Sequence, residues 1–540
     1  MTFGADFLEV AIGRISNRKV EIALTLVIVF LLGRTIRYYQ GLQVINNYPG
    51  LRVGFDPLSL VGNLLLPRTW WNPKVYGFWF ERATMYKQFG TDTISIVPFF
   101  SGSPMFYTRN VEVTRQIVSN GPRASFIKPL IGGNFFAYWG MNVFSANGET
   151  WRRHRRIVAP SFNNALYEHV FDESIVTYRD MIASEKWVNK REMNIPVFQE
   201  LVYKFALLVI MKCGFGVPFS WSTPPEANDG STSLQQALQL ITDNFILVIY
   251  GNWLLRLPLP KFRAIRAACQ QTKNFMKTQV EQRRALIQNS RGVELAKDVF
   301  TTLVQANEDE GAKYKLNNDE LVGNVFIMLI AGHETTARSL AATIAFLAWD
   351  QDTQDDVAEQ IKSVVGYDRD PNFQDYPKLN KVLSAFLEAI RMFPPSSLSI
   401  RESAEDTVLK IPNPAGQEGY TTIPIQKGTM VVSDTIGHQY DPKYYDEPEK
   451  YKPLRWYDTE NLESERFTGF SVGSRVCIGR KFATVEAVAF LTMLLRDWRV
   501  EPFLRHGENK EQWRERVFDP QFTITLGIKD ASVSFIRRQH

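Results

Sequence analysis

The chain has 540 residues, 45% of them hydrophobic and 13% aromatic, enough to bury a large core. That excludes intrinsic disorder, a collagen-like repeat and a disulfide-held miniprotein. Its 62 basic and 57 acidic residues leave a formal charge of +5, too nearly balanced to imply a nucleic-acid partner. Three cysteines, Cys213, Cys269 and Cys477, are an odd number at distant positions, so each reads as a core thiol or a ligand.

Residues 20–33 form the longest mostly apolar run, broken by Glu21 and Thr25 and flanked by Arg18, Lys19, Arg34 and Arg37. As a helix this run reaches only about 20 Å, against the ~30 Å of a bilayer core. Snorkelling of the flanking basic side chains and local thinning narrow that gap, so a transmembrane helix that anchors the chain in a membrane is expected. A signal-peptide core would need a small-residue cleavage pattern, which is missing. The break at Tyr48, Pro49 and Gly50 ends the segment, and no Gly/Ser- or Pro-rich linker divides the remaining chain. Residues 1–50 are therefore read as anchor and hinge, and residues 51–540 as one catalytic domain.

Apolar residues recur with helical period at residues 198–213, 234–250, 263–288, 319–348, 352–365, 381–392 and 483–498. Strand-like pieces are short, at residues 93–99, 408–411, 420–424, 429–433, 522–526 and 532–536. The pattern predicts a mainly α fold with small β-sheets. Residues 223–233 (TPPEANDGSTS) read as a surface loop, while residues 253–259 (WLLRLPL) are too apolar for one. The latter fit either a second membrane contact or leucines folded back on the core.

The chemistry concentrates at residues 470–483, FSVGSRVCIGRKFA, where Cys477 sits in a glycine-punctuated loop just before a long helical pattern. A sulfur at a helix start meets the positive end of the macrodipole and unpaired backbone N–H groups, which favour thiolate over thiol. Gly473 and Gly479 permit backbone shapes and close approaches that a side chain would block. With no second cysteine or nearby histidine to complete a tetrahedral site, a lone thiolate suits a metal that brings its own remaining ligands, as haem does. Without those surroundings the cysteine would read as a small hydrophobe.

The segment resembles the haem-binding signature of the cytochrome P-450 superfamily, FxxGxRxCxG followed by Phe-Ala, and matches it at every position. The resemblance implies the family fold, with haem b between a long distal helix and a proximal cysteine loop. It makes Cys477 the axial thiolate ligand of the iron, Arg475 a propionate contact, Phe470 a shield for the sulfur and Gly479 part of the cofactor-binding loop. Residues 331–336 (AGHETT) lie inside the helical pattern 319–348, where an acid and two hydroxyls cost helix propensity and desolvation. They resemble the family's oxygen-binding groove. Gly332 would then make room for dioxygen, Glu334 and Thr335 would be the catalytic acid–alcohol pair that relays protons, and His333 reads as a core residue.

Glu388 and Arg391 (EAIR) stand three apart on one helical face, a common spacing by itself. In the family it is the ExxR pair, completed here by Arg455 of the PLRW segment at residues 453–456 in a buried network that locks the cysteine loop. Residues 151–156 (WRRHRR) look at first like a polyanion patch. By resemblance Trp151 and Arg155 form the WxxxR element that binds a propionate, the other basic residues face an acidic redox partner, and Arg401, after Pro394 and Pro395, is a further propionate-binding position.

The resemblance implies a haem-thiolate monooxygenase that inserts one atom of O2 into a small molecule. Gly214, Phe215 and Gly216 begin a dinucleotide fingerprint that Phe219 interrupts, so the electrons come from another protein. By resemblance that partner is the membrane-bound NADPH-dependent cytochrome P-450 reductase, and the chain sits on the endoplasmic reticulum with its catalytic domain facing the cytoplasm. Family substrate contacts fall at residues 121–138, 234–259, 327–331, 396–400 and 521–523, with Phe135, Phe136, Phe245 and Phe522 as candidate walls. They are mostly small or apolar here, which favours a lipophilic substrate. The general look is similar to fungal enzymes of secondary metabolism, often terpenoid tailoring. Two other readings stay open: a haem-thiolate isomerase or dehydratase working without O2 or reductase, and a membrane-tethered haem sensor or carrier without catalysis.

Overall fold

The apolar run at the amino terminus extends in both directions as one helix, α1 (Ala5–Val44). The computed structural model describes residues 5–118, 124–129, 139–217, 219–222, 233–250, 254–289, 298–308, 313–413, 417–458 and 467–539. It resolves into two units, the first formed by Met1–Thr108 with Glu405–Val432 and the second by Arg109–Ala404 with Ser433–His540.

In the first unit α1 carries exposed apolar side chains on every side, among them Leu24, Leu26, Val29 and Leu32. Thr25 returns its hydroxyl to the Glu21 carbonyl (2.8 Å), the usual local bond of a hydroxyl inside a helix. The last third of α1 is tied to strand Thr93–Ser101 by Arg34 Nε, which donates to the Phe99 carbonyl at 2.8 Å. Among the described residues no helix is long and apolar enough to cross a membrane, so the expected transmembrane span is not carried by this structure. Strand Gly50–Phe55 runs parallel to Thr93–Ser101, which pairs antiparallel with Met105–Thr108. Thr407–Pro412 and Tyr420–Ile425 form an antiparallel hairpin whose buried positions alternate, as the sequence pattern predicts.

The second unit is helical. Its central element is α5, reached after α2 (Gly148–Val158), α3 (Asn164–Ser184) and α4 (Phe198–Val209), and it spans Asn318–Trp349. A capping box starts it: Asn317 Oδ1 accepts the Glu320 N–H at 2.8 Å and Glu320 Oε2 accepts the Asn317 N–H at 3.0 Å. α4 passes into a π-helical turn at Ile210–Gly214 and packs along α5. Two further helices complete the frame, α6 (Asn380–Met392) against α5 and α7 (Arg480–Asp497) against α3. Small sheets fill the edges: Val533–Arg537 lies between Trp498–Pro502 and Glu192–Ile195.

The mainly α reading with small sheets is therefore borne out. One strand differs. Residues 522–526 do not form a single strand; they turn, joining Pro520–Phe522 to Leu526–Ile528 as a tight hairpin closed by the Thr523 N–H on the Thr525 carbonyl (3.1 Å). Alternating Thr and apolar residues fit an extended strand, but such a pattern cannot show a reversal whose polar side chains have partners inside the protein. Most of the surface loop expected at residues 223–233 lies outside the described residues, as does Trp253; of the leucines beyond it, Leu255 is buried while Leu257 and Leu259 are exposed.

Candidate active site

Helix α5 is buried along almost its whole length, with one interruption. Met328, Ala331, Gly332 and Thr335 keep accessible surface, and their spacing of three to four residues places them on one face. That face lines a cavity of about 570 Å³, which is also lined by Phe470, Val476, Cys477 and Gly479 of the cysteine loop. Cys477 lies deep in the unit, and its exposed surface opens onto this cavity. Burial raises the Cys477 pKa, while the Gly479 N–H, Arg155 and Arg480 pull it back. The helix start thus favours thiolate as expected, but desolvation outweighs it in the protein alone.

The loop is held by its own backbone. The Cys477 N–H reaches the Phe470 carbonyl (2.9 Å), and the Ser471 N–H reaches that of Thr468 (2.8 Å). Gly473 has φ +66°, a left-handed conformation that favours glycine. Gly479 is different. Its φ is −87°, open to any residue, but a Cβ there would meet nothing within 4 Å, so the missing side chain leaves space at the cavity wall.

The ExxR pair and Arg455 come together in the expected network. Arg391 donates from Nε to Glu388 Oε2 and from a terminal nitrogen to Oε1, both at 2.9 Å, with both side chains fully buried. Arg455 Nε adds a bond to Oε1 at 3.2 Å, and Trp456 Nε1, to which the motif assigns no role, donates to Oε2 at 2.8 Å. Arg391 also donates to the Gln439 carbonyl (2.8 Å), and the Gln439 side chain donates to Thr468 Oγ1 (2.9 Å). Through Gln439 the buried ion pair reaches the start of the cysteine loop.

Four cations line the cavity with no carboxylate partner among the described residues. Arg155 donates to the Val476 carbonyl (3.3 Å), Arg401 to Ser399 Oγ (3.1 Å) and the Ile400 carbonyl (2.8 Å), and Arg475 to the Ala146 carbonyl (2.7 Å). Trp151 lies beneath Arg475, with 4.4 Å between guanidinium carbon and ring centroid. Lys128, which no sequence motif singles out, donates to the Phe144 carbonyl at 2.6 Å. Its place is set by Asn147, which accepts the Lys128 N–H (3.0 Å) and donates to the Lys128 carbonyl (3.1 Å). Burial pushes Arg475 down to about 9 and Arg401 to about 10, and burial followed by Arg401 and Arg475 holds Lys128 well below its ordinary value. The Arg475 Nε has no partner among the described residues.

The other basic residues of the WRRHRR element each have a partner on the protein, Arg156 on the Tyr314 hydroxyl among them. Arg152 pairs with Glu149 and Arg153 with Glu320, while His154 is buried with Nδ1 2.8 Å from Asn324 Nδ2.

Glu334 and Thr335 both line the cavity but do not bond to each other. The Thr335 hydroxyl donates to the Ala331 carbonyl (2.8 Å), and Glu334 Oε1 accepts from Thr525 (2.7 Å) and Thr523 (3.1 Å). Gly332 has a packing reason for its missing side chain: a Cβ would lie 2.9 Å from Ile210 Cδ1 of the π-helical turn. His333 is buried with Nδ1 2.8 Å from the Leu329 carbonyl, as a core residue should be. Phe245, Ile327, Met328, Leu398, Ile400 and Ile524 make the remaining wall largely apolar. Phe522 is not among the lining residues, and Phe135 and Phe136 lie outside the described residues. Cys213 and Cys269 are buried core thiols, and burial pushes Cys269 up to about 12.

Comparison with known proteins agrees with this geometry. The family model Cytochrome P450 matches residues 54–523. Cytochrome P450 monooxygenase 124 of Postia placenta is 33% identical over 517 residues, 94% of this chain and 97% of that one. A cytochrome P450 monooxygenase of Arthrobotrys oligospora is 26% identical over 463 residues, 75% and 76% of the two chains. Cyclooctat-9-en-7-ol 5-monooxygenase of Streptomyces melanosporofaciens is 25% identical over 405 residues, 72% and 79% of the two.

The chain belongs to the cytochrome P450 family. It has the family fold and is a P450 monooxygenase, an enzyme class that works with a haem-thiolate cofactor, a redox partner, O2 and a small-molecule substrate. The residues present fit such a cofactor: a cysteine opens onto the cavity, Gly479 leaves space beside it, and four cations without a carboxylate call for anionic groups such as haem carboxylates.

Proposed function

We propose that this enzyme oxygenates a neutral lipophilic molecule, with haem b held by Cys477. The observation that carries the reading is a single thiol opening onto a cavity that also holds Arg155, Arg401, Arg475 and Lys128 without a carboxylate among their described partners. Arg155, Arg401 and Arg475, with Trp151 beneath the last, receive the propionates; Phe470 and Gly479 flank the sulfur. When bound, the haem activates dioxygen, and its thiolate ligand favours O–O cleavage.

The chain's own residues do the rest. Glu334 and Thr335 face the dioxygen side and deliver protons, each working through water because their side chains are bonded elsewhere. The largely apolar wall selects a lipophilic substrate, of which a terpenoid secondary metabolite is one class. The name of the Streptomyces relative, a cyclooctat-9-en-7-ol 5-monooxygenase, is in keeping with that class. Electrons come from an NADPH-dependent cytochrome P-450 reductase. The exposed apolar side chains of α1 rest in the endoplasmic reticulum membrane, with residues 51–540 acting as one catalytic domain on the cytoplasmic side.

Cys477→Ala tests the central assignment. The reduced, carbon-monoxide-treated wild type should show the red-shifted thiolate band and the variant should not; an unchanged band would place the ligand elsewhere. Untargeted metabolite comparison of a host expressing the chain with its reductase identifies the substrate, and purely ionic products would overturn the lipophilic reading.

A further inference from the structure

Glu334 is 2% exposed, and its two carboxyl oxygens have different surroundings. Oε1 accepts the Thr525 hydroxyl at 2.7 Å and the Thr523 hydroxyl at 3.1 Å, and lies 3.5 Å from Arg338 Nε. Oε2 has no partner among the described residues. A carboxylate has acceptor sites on both oxygens, so gathering the two hydroxyl donors on one of them, with the Arg338 charge beside it, fixes the rotation of the group and leaves the other, buried at the cavity wall, as the unsatisfied acceptor.

The donors are themselves anchored. Arg338 donates to Thr523 Oγ1 at 2.7 Å, so Thr523 accepts from the guanidinium while it donates to the acid. The turn carrying both threonines is closed by the Thr523 N–H on the Thr525 carbonyl (3.1 Å) and tied to the cavity wall by the Leu526 N–H on the Pro395 carbonyl (3.0 Å). Gly527 makes the fit possible, since a Cβ there would come within 2.7 Å of the Arg338 guanidinium. Thr525 and Ile524 both line the cavity, so this turn is also part of the substrate wall.

We propose that the Thr523–Thr525 turn is a positioning device for the proton-delivering acid: by holding Glu334 Oε1 it presents Oε2 as the atom that exchanges protons with cavity water. The inference rests on the reading of Glu334 as that acid. Two outcomes of oxygen reduction report on it without any knowledge of the substrate. Two electrons and two protons convert O2 to H2O2, and four of each convert O2 to two H2O. NADPH, through the reductase, supplies the electrons in both. Cleavage of the O–O bond needs protons delivered to the correct oxygen, so a misplaced acid raises the share of peroxide.

The test uses the full-length haem-loaded enzyme with reductase and NADPH and no added substrate. Thr525→Val, which keeps the shape and loses the hydroxyl, should raise the peroxide-to-water ratio about tenfold. Thr525→Ser should restore the wild-type ratio. A second readout is independent of turnover: the infrared carboxyl stretch that Glu334→Gln removes. Its frequency should shift in Thr525→Val, because Oε1 loses a hydrogen-bond donor. Thr523→Val should shift both readouts in the same direction. If Glu334→Gln leaves the ratio unchanged, the acid itself is misassigned. If Glu334→Gln raises it while Thr525→Val moves neither readout, or Thr525→Ser fails to restore them, the turn does not position the acid.

Discussion

The guanidinium carbon of Arg475 lies 4.4 Å from the centroid of the Trp151 indole, joining the cysteine loop to helix α2. The contact holds the arginine over an aromatic face at a point where no carboxylate among the described residues balances its charge. Trp151 is 7% exposed, and burial holds Arg475 down to about 9. A protein keeps an uncompensated cation in such a place only against a cost, and an anionic cofactor offsets that cost when it binds.

Arg475→Met should therefore act in opposite directions on the two forms. The haem-free protein should melt at a higher temperature, because an unpaired, largely buried charge is gone. The loaded protein should release haem to apomyoglobin about tenfold faster, having lost a charge-assisted contact. Lys128→Met should show the same pair of effects. A variant that loses stability in both forms would mean that the cation serves packing and not the cofactor.

The Glu388–Arg391 network makes a more severe prediction. Arg391 is held between the rings of Tyr440 and Tyr445, with its guanidinium carbon 5.6 Å and 5.3 Å from their centroids. Arg391→Lys retains the charge but cannot reproduce the bidentate fork, the bonds to the Gln439 and Lys450 carbonyls (2.8 and 3.1 Å) or the contact with both rings. Each buried acceptor left without its donor costs about 1–3 kcal/mol, so guanidinium denaturation should show a loss of that order and little haem should be retained. Near-native stability in Arg391→Lys would make the pair dispensable.

The sequence made some of this arrangement legible and concealed the rest for identifiable reasons. Arg475 and Cys477 stand together in one short segment and Glu388 and Arg391 one helical turn apart, so fixed spacing exposes them. The helical elements were also readable, since a buried helix writes a 3.6-residue period over many turns. Lys128 was hidden because its partner Asn147 lies nineteen positions away and pairs through backbone groups. Thr523 and Thr525 were hidden because they meet Glu334 across almost two hundred residues, from a turn that reads as a strand. Long-range hydrogen bonds of common residue types leave no local pattern.

Gly332 is a case where the residue stands out and its reason does not. An alanine there would press its Cβ against Ile210 Cδ1, at 2.9 Å. Gly332→Ala should cost about 1–3 kcal/mol through overpacking, despite the better helix propensity of alanine. Ile210→Ala removes both Cδ1 and Cγ1, the latter 3.0 Å away, so the double variant should cost less than the two single substitutions added together. If the two costs simply add, Gly332 serves the cavity and not the α4–α5 contact.

Glu486 supplies a prediction in pH. It stands on α7, fully buried, and neither carboxyl oxygen has a partner among the described residues. Burial alone pushes its pKa well above the ordinary carboxylate value. The folded protein therefore keeps this proton over a range in which the unfolded chain has released it, so fewer protons are bound on unfolding and stability falls as pH rises above the unfolded value. Glu486→Gln removes the titration and keeps the shape. At pH 5 the two proteins should melt at similar temperatures; by pH 8 the glutamine variant should be the more stable, with a gap that widens steadily between. A gap that stays constant with pH would show that the Glu486 carboxyl carries no proton that folding retains.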